Sequence, residues 1–270
     1  MLTLFISSVI AFIFDISLAT FLLVNNNKKT TNITFACFLY CLSLWIFGDF
    51  FHFIDLFNSY HPVIFVRLAH IGAVFTPAFF VHFVISFSRT EVKAKWLYSL
   101  YIASGLLAII NICSDLFVEN AGLIVEHSLL LINIGFFYNI FILEILVLLI
   151  ISYYILFKKH RISKGKLRNQ IEYFFLATGV IILALCFYIP AVIGLFHIRI
   201  DNIFHIIYPS IIVYAICKHR LMDVEVVISR IIAKFLTHIL FLSVFFCIYF
   251  YNYKNANLLF LAQATIFIIL

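Results

Sequence analysis

The chain has 270 residues, is 65% hydrophobic and only 11% charged, and carries a formal net charge of +6. Soluble domains carry roughly 25% charged residues, so these figures exclude an ordinary soluble fold. The basic residues stand in short loops beside apolar runs, where membrane topology and anionic headgroups account for them; this argues against nucleic-acid binding.

A membrane-crossing helix needs about 20 mostly apolar residues. The first such run extends from Leu2 to Val24, and the gap after it carries Lys28 and Lys29. The second runs from Ile33 to about Phe57, and no Lys or Arg follows it. The third runs from Pro62 to Phe87, ahead of Arg89, Lys93 and Lys95. The fourth runs from Trp96 to about Phe117 and opens onto an acidic gap with Asp115, Glu119 and Glu126. The fifth runs from about Leu131 to Phe157, before the basic stretch Lys158, Lys159, Arg161, Lys164, Lys166 and Arg168. The sixth runs from Ile171 to about His197, and the seventh from about Ile203 to Cys217, before Lys218, His219 and Arg220.

Most of the eighteen Lys and Arg thus occupy alternate gaps. Cytoplasmic loops hold the positive charge of multi-pass proteins, so the predicted fold is all-α: a polytopic helical bundle of seven transmembrane helices with its N-terminus outside. The first run has no basic residue ahead of it and is too long for a cleaved signal peptide. A further run from about Ile231 to Tyr253 predicts an eighth span. Leu258 to Leu270 makes only about 20 Å of helix, which reads as a truncated ninth. The expected organisation is a seven-helix domain over 1–228 and an incomplete transmembrane hairpin over 229–270, with a cytoplasmic output module expected beyond.

The stretch Tyr214-Ala215-Ile216-Cys217-Lys218-His219-Arg220-Leu221-Met222-Asp223-Val224 is the most specific in the chain. It resembles the cytoplasmic exit motif of the seven-helix N-terminal membrane region of bacterial sensor histidine kinases, in particular Tyr214, Lys218, Arg220, Leu221 and Asp223. Other landmarks agree in order: Asn26 and Asn32 around the first turn, Trp45, Arg67, Gly72 and Pro77 ahead of Phe79, Phe80 and Phe83, then Arg168, Gln170, Pro190 and Pro209. The resemblance implies a membrane-embedded, signal-sensing input domain of a two-component system in the bacterial cytoplasmic membrane. It further implies a homodimer, and a kinase output module in cis or in trans. No catalytic residues are expected here: His160 and His219 each precede an Arg in a basic loop, without the acidic residue and Pro of a phosphoacceptor site, and no glycine-rich nucleotide loop exists.

Ionisable side chains inside a span are costly and mark candidate sites. Asp49 and Arg67 lie at similar depth near the outer ends of the second and third helices, and His52 and His70 share their faces. The four form a candidate polar cluster, read either as a packing lock through an Asp49–Arg67 ion pair or as a sensing pocket. Asp15 and Glu144 lie near the middle of helices one and five, either sharing a proton or each bonding a hydroxyl. His82, His205, Asn139 and Tyr208 read as interhelical hydrogen-bond partners.

No His or Cys spacing supports a metal, no cofactor is expected, and the six Cys stand in or beside apolar runs and predict no disulfide. The expected partners are the lipid bilayer, an unidentified stimulus, a second copy and the kinase module. The alternative function is a stand-alone membrane protein such as a small-solute transporter, against which the missing internal repeat argues. Covalent retinal would need a Lys deep in a span, and every Lys stands in a loop or at a helix end.

Overall fold

The computed structural model describes residues 2–26, 29–51, 62–124 and 129–192, and helical positions among 204–215. Six helices appear in chain order: α1 Leu2–Asn26, α2 Thr30–Phe51, α3 Pro62–Ser88, α4 Ala94–Cys113, α5 Phe136–Ile162 and α6 Gly165–Val192. Between α4 and α5 an antiparallel hairpin is formed by β1 Val118–Ile124 and β2 Leu129–Ile134. Helical residues at 204, 207, 208, 210–212, 214 and 215 belong to a seventh segment.

Five of the helical segments are long and apolar enough to cross a membrane, and a shorter apolar stretch, Ser8–Val24, lies in α1. Their outward faces support the same conclusion. On α4 the side chains of Ile102, Leu106 and Ile109 are exposed, and on α5 those of Leu143, Leu146, Val147, Ile150 and Tyr154. Successive apolar residues one helical turn apart, turned away from the core, are a face that water would penalise and hydrocarbon does not. Polar residues within the spans bond their own helix: Ser43 donates to the Leu39 carbonyl, Thr76 to Gly72, Ser152 to Leu148 and Thr178 to Phe174. Such bonds satisfy a hydroxyl where no water reaches it. The chain is a multi-pass helical membrane protein.

Helix α3 is central, packing against α2, α4, α5 and β1. Its contact with α2 is close because both helices lack a side chain where they cross. A Cβ on Gly72 would run into the Cys41 carbonyl and Leu44, and one on Gly48 into Ala69. Small residues give membrane helices this approach, since packing rather than water exclusion holds them together. Two cores result. At the end carrying the basic links, Phe35, Phe38, Phe80, Phe83 and Phe174 interlock, with Phe35 and Phe83 centroids 4.8 Å apart. At the opposite end Val66, Val74, Phe117, Tyr138 and Phe141 form the second.

The sequence reading and the structure differ between α4 and α5. The expected fourth helix reached about Phe117, yet α4 stops at Cys113 and Ser114 is extended. The expected fifth helix began near Leu131, whereas Leu129–Ile134 is a strand and α5 starts at Phe136, after an extended Gly135. The run Leu129-Leu130-Leu131-Ile132-Asn133-Ile134 is apolar in every position but one. A short apolar run has no periodicity to separate strand from helix. The bundle is helical as expected, with this hairpin added. The proposed spans at 231–253 and 258–270 lie outside the described residues, and so does the division at residue 228.

Candidate functional site

Arg67 stands in the first turns of α3, at the hairpin end of the bundle. Its guanidinium reaches across to the link that leaves α4. One terminal nitrogen donates to Asp115 Oδ1 and, at 3.1 Å, to the Val118 carbonyl. The other donates to the Ile112 carbonyl at 3.4 Å. From the other side, Asn111, fully buried, donates to the Arg67 carbonyl at 2.7 Å. Arg67 therefore ties together the end of α4, the link and the first residue of β1. Two backbone bonds extend the tie to α5: Gly135 donates to Phe117 and Phe137 to Leu116.

The expected partner of Arg67 was Asp49, whose side chain lies outside the described residues, as does His52. The ion pair seen is with Asp115, on the acidic gap after the fourth span. His70 is one turn from Arg67 but does not share its surroundings. Its Nδ1 lies 2.7 Å from the Val66 carbonyl, which accepts only, so this nitrogen carries a proton. Its ring meets Phe117, Tyr138 and Phe141 edge-on at 5.4 to 6.3 Å. Arg67 bonds the backbone where the hairpin begins, and His70 packs among aromatics supplied by the preceding link (Phe117) and by α5 (Tyr138 and Phe141).

The two mid-span acids have separate settings. Glu144 accepts a bond from Ser104 of α4 at 3.2 Å, one of the two arrangements expected for it. Asp15 is fully buried, and neither of its carboxylate oxygens meets a hydrogen-bond donor among the described residues. Tyr208, on the seventh segment, is equally buried, and its hydroxyl also meets no partner among the described residues. Sequence reading marked both residues. His82 has the interhelical role expected, its Nδ1 2.8 Å from the Tyr101 hydroxyl on α4.

At the basic end, Glu172 of α6 collects His160 Nε2 at 2.9 Å and Arg168 Nε at 3.2 Å, closing the α5–α6 turn. Of the exit motif, Tyr214 is described: its ring lies 5.7 Å from that of Tyr173. Lys218, Arg220, Leu221 and Asp223 lie outside the described residues.

Between the two ends a cleft of about 60 Å³ opens among α2, α3, α5 and α6. Its lining includes Trp45, Ala73, Pro77, Tyr153, Thr178 and Ala184 and, among the described residues, no ionisable acid, Lys, Arg or His. The Tyr153 hydroxyl donates to Thr178 Oγ1 at 2.7 Å. Among the described residues no group of three His, Cys, Asp or Glu is placed to hold a metal, and Cys37, Cys41, Cys113 and Cys186 are free thiols.

The family model for the N-terminal 7TM region of histidine kinase matches residues 4–225. That span holds all but the first two residues of the six helices, the hairpin and the exit motif Tyr214–Val224, and the chain belongs to this family. No curated protein and no solved structure gives a match.

Proposed function

We propose, from membership of the histidine-kinase 7TM family, that this chain is the membrane-embedded signal-sensing input domain of a bacterial two-component sensor kinase. It sits in the cytoplasmic membrane with its N-terminus outside, and its seventh segment leads to a cytoplasmic kinase module, in cis or in trans, within a homodimer. The input region itself performs no catalysis.

The observation that carries the reading is the family match over 4–225. Two further facts support the orientation. The links after α1, α3 and α5 carry Lys29, the Arg89–Lys95 group and the Lys158–Arg168 group, which is the charge bias of cytoplasmic loops. The hairpin end carries Asp115 and Glu119 instead. A signal requires two packings of the bundle with different affinity for the stimulus. Asp15 and Tyr208 are buried polar groups that meet no hydrogen-bond partner among the described residues, so a repacking that gave either one a partner would be favoured by that bond.

A periplasm-dependent alkaline phosphatase fused after Phe157 tests the threading. It is expected to be inactive there and active when fused after Asn120; activity after Phe157 would overturn the orientation and the exit route together. The output is tested in the genome: a kinase core in the same frame or an adjacent gene is expected, and its absence from both would leave the domain without the output proposed for it.

A further inference from the structure

Helix α5 packs on α3 with one face and leaves the opposite face uncovered. Along the uncovered face Leu143, Val147, Ile150, Tyr154 and Phe157 follow at steps of four, three, four and three residues, so they form one straight strip. From Leu143 to Tyr154 the strip is about 16 Å long at about 1.5 Å per residue, the depth of one leaflet in a hydrocarbon core of roughly 30 Å. It ends in cations. Lys158 and Arg161, both exposed, stand one turn beyond Tyr154 and Phe157. Neither has an acidic partner among the described residues, whereas the neighbouring Arg168 and His160 are both engaged by Glu172. The Arg161 guanidinium lies over the Phe157 ring, 4.7 Å from its centroid. That stacking holds the group at the end of the strip and uses none of its N–H donors.

We infer that the outer face of α5 is a binding site for an anionic phospholipid, with its phosphate held by Lys158 and Arg161 and an acyl chain lying along the strip. Charge complementarity selects this occupant over a second copy of the chain. A copy docked about a two-fold axis meets the same patch, which would set Lys158 and Arg161 against themselves. The strip is also built of large side chains, with no Gly, Ala or Ser in it, whereas membrane helices approach one another through small residues. A lipid suits both features. Arg161 offers paired N–H donors that match phosphate oxygens, Lys158 adds a second positive charge, and Tyr154 stands at the headgroup level where its ring is favoured. Each cation near the membrane surface favours an anionic headgroup by about fivefold, so the two together give about twentyfold over a zwitterionic one. The site needs only the bundle in a bilayer and stands whether or not the bundle signals.

The full chain carrying Ile150→Trp is placed in phosphatidylcholine bilayers. A growing share of the lipid is replaced by bromine-labelled phosphatidylglycerol or by bromine-labelled phosphatidylcholine. Bromine on an acyl chain quenches Trp by contact, and the unsubstituted chain, with Trp45 and Trp96, gives the background to subtract. Phosphatidylglycerol should reach half of its quenching at about a twentyfold smaller share than phosphatidylcholine. Lys158→Gln with Arg161→Gln should bring the two lipids within about twofold of each other. Lys93→Gln with Lys95→Gln removes as much charge from the α3–α4 link and should leave the preference in place. Phe136→Trp reports from the other end of the same helix face, near Asp115 and Glu119 in sequence and away from the cations, and should show no preference. That comparison alters neither cation, so it decides if the double variants fail to fold. Equal quenching by the two lipids at position 150, or the same preference at 136 as at 150, would overturn the proposal. Equal losses from the two pairs of substitutions would reduce the site to general surface charge and overturn it too. So would a preference erased by millimolar inorganic phosphate, which would assign the cations to a soluble anion, or a reporter at 150 that neither lipid quenches, which would mean that protein covers the strip.

Discussion

Replacing Arg67 by Met keeps much of the side chain's bulk and removes every bond its guanidinium gives. The lost contact with the buried Val118 carbonyl is a bond from a charged donor, worth about 1.5–3 kcal/mol. The pair with Asp115 is different: the aspartate is 79% exposed, and an exposed ion pair contributes about 0.2–1 kcal/mol. The 3.4 Å contact to Ile112 adds little. Arg67→Met should therefore cost about 2–4 kcal/mol and Asp115→Ala less than about 1 kcal/mol. Equilibrium unfolding in mixed detergent–SDS micelles, followed by Trp fluorescence, measures both. Salt adds a second discriminator, since it screens the exposed pair over about 10 Å at 0.1 M and leaves the bond to Val118 intact. The Asp115 effect should fade in high salt while the Arg67 effect persists. Equal losses for the two variants would refute the claim that the hairpin is held by the backbone bond. A double-mutant cycle separates the partners: Arg67 with Asp115 should show coupling, and coupling above about 1 kcal/mol with Asp49 instead would restore the pair expected from sequence.

Other substitutions probe the bundle's interior. Gly72→Ala should destabilise by about 1–3 kcal/mol, because the added methyl has no room against Cys41 and Leu44; Gly179→Ala, where a Cβ meets nothing within 4 Å, should be neutral or slightly stabilising in the same unfolding assay. Tyr101→Phe removes the bond to His82 and should cost about 0.6 kcal/mol, the usual value for interhelical bonds in membranes. A cost above about 2 kcal/mol would give that pair a larger role than a single bond explains. Glu144→Gln keeps an acceptor for Ser104 and should be nearly silent, while Glu144→Leu strands the hydroxyl and should cost about 1 kcal/mol; unfolding midpoints distinguish the two.

The site was partly legible. The acids at 15 and 144, the histidines at 70 and 82 and the arginine at 67 stand out because a polar group in hydrocarbon is rare enough to be informative by itself. Their partners do not stand out. Asp115, Asn111, Ser104 and Thr178 are ordinary residues whose importance is set by which helix faces which. Asp115 was visible only as part of an acidic gap, and the link from Arg67 to that gap required knowing that α3 packs on α4.

Read alone, the chain of residues settles its solvent, the alternation of basic and acidic links, most of its spans and its family, since each depends on local composition or on order along the chain. Lipid imposes helix on any long apolar run because every backbone group must be bonded within it, and that rule acts without reference to neighbours. The hairpin, the partner of Arg67, the burial of Asp15 without a hydrogen-bond donor among the described residues and the cleft at Pro77 were decided in three dimensions. All of them depend on rotation and approach of helices, which are set by small contacts such as Gly72 against Cys41. No period in the sequence records those contacts.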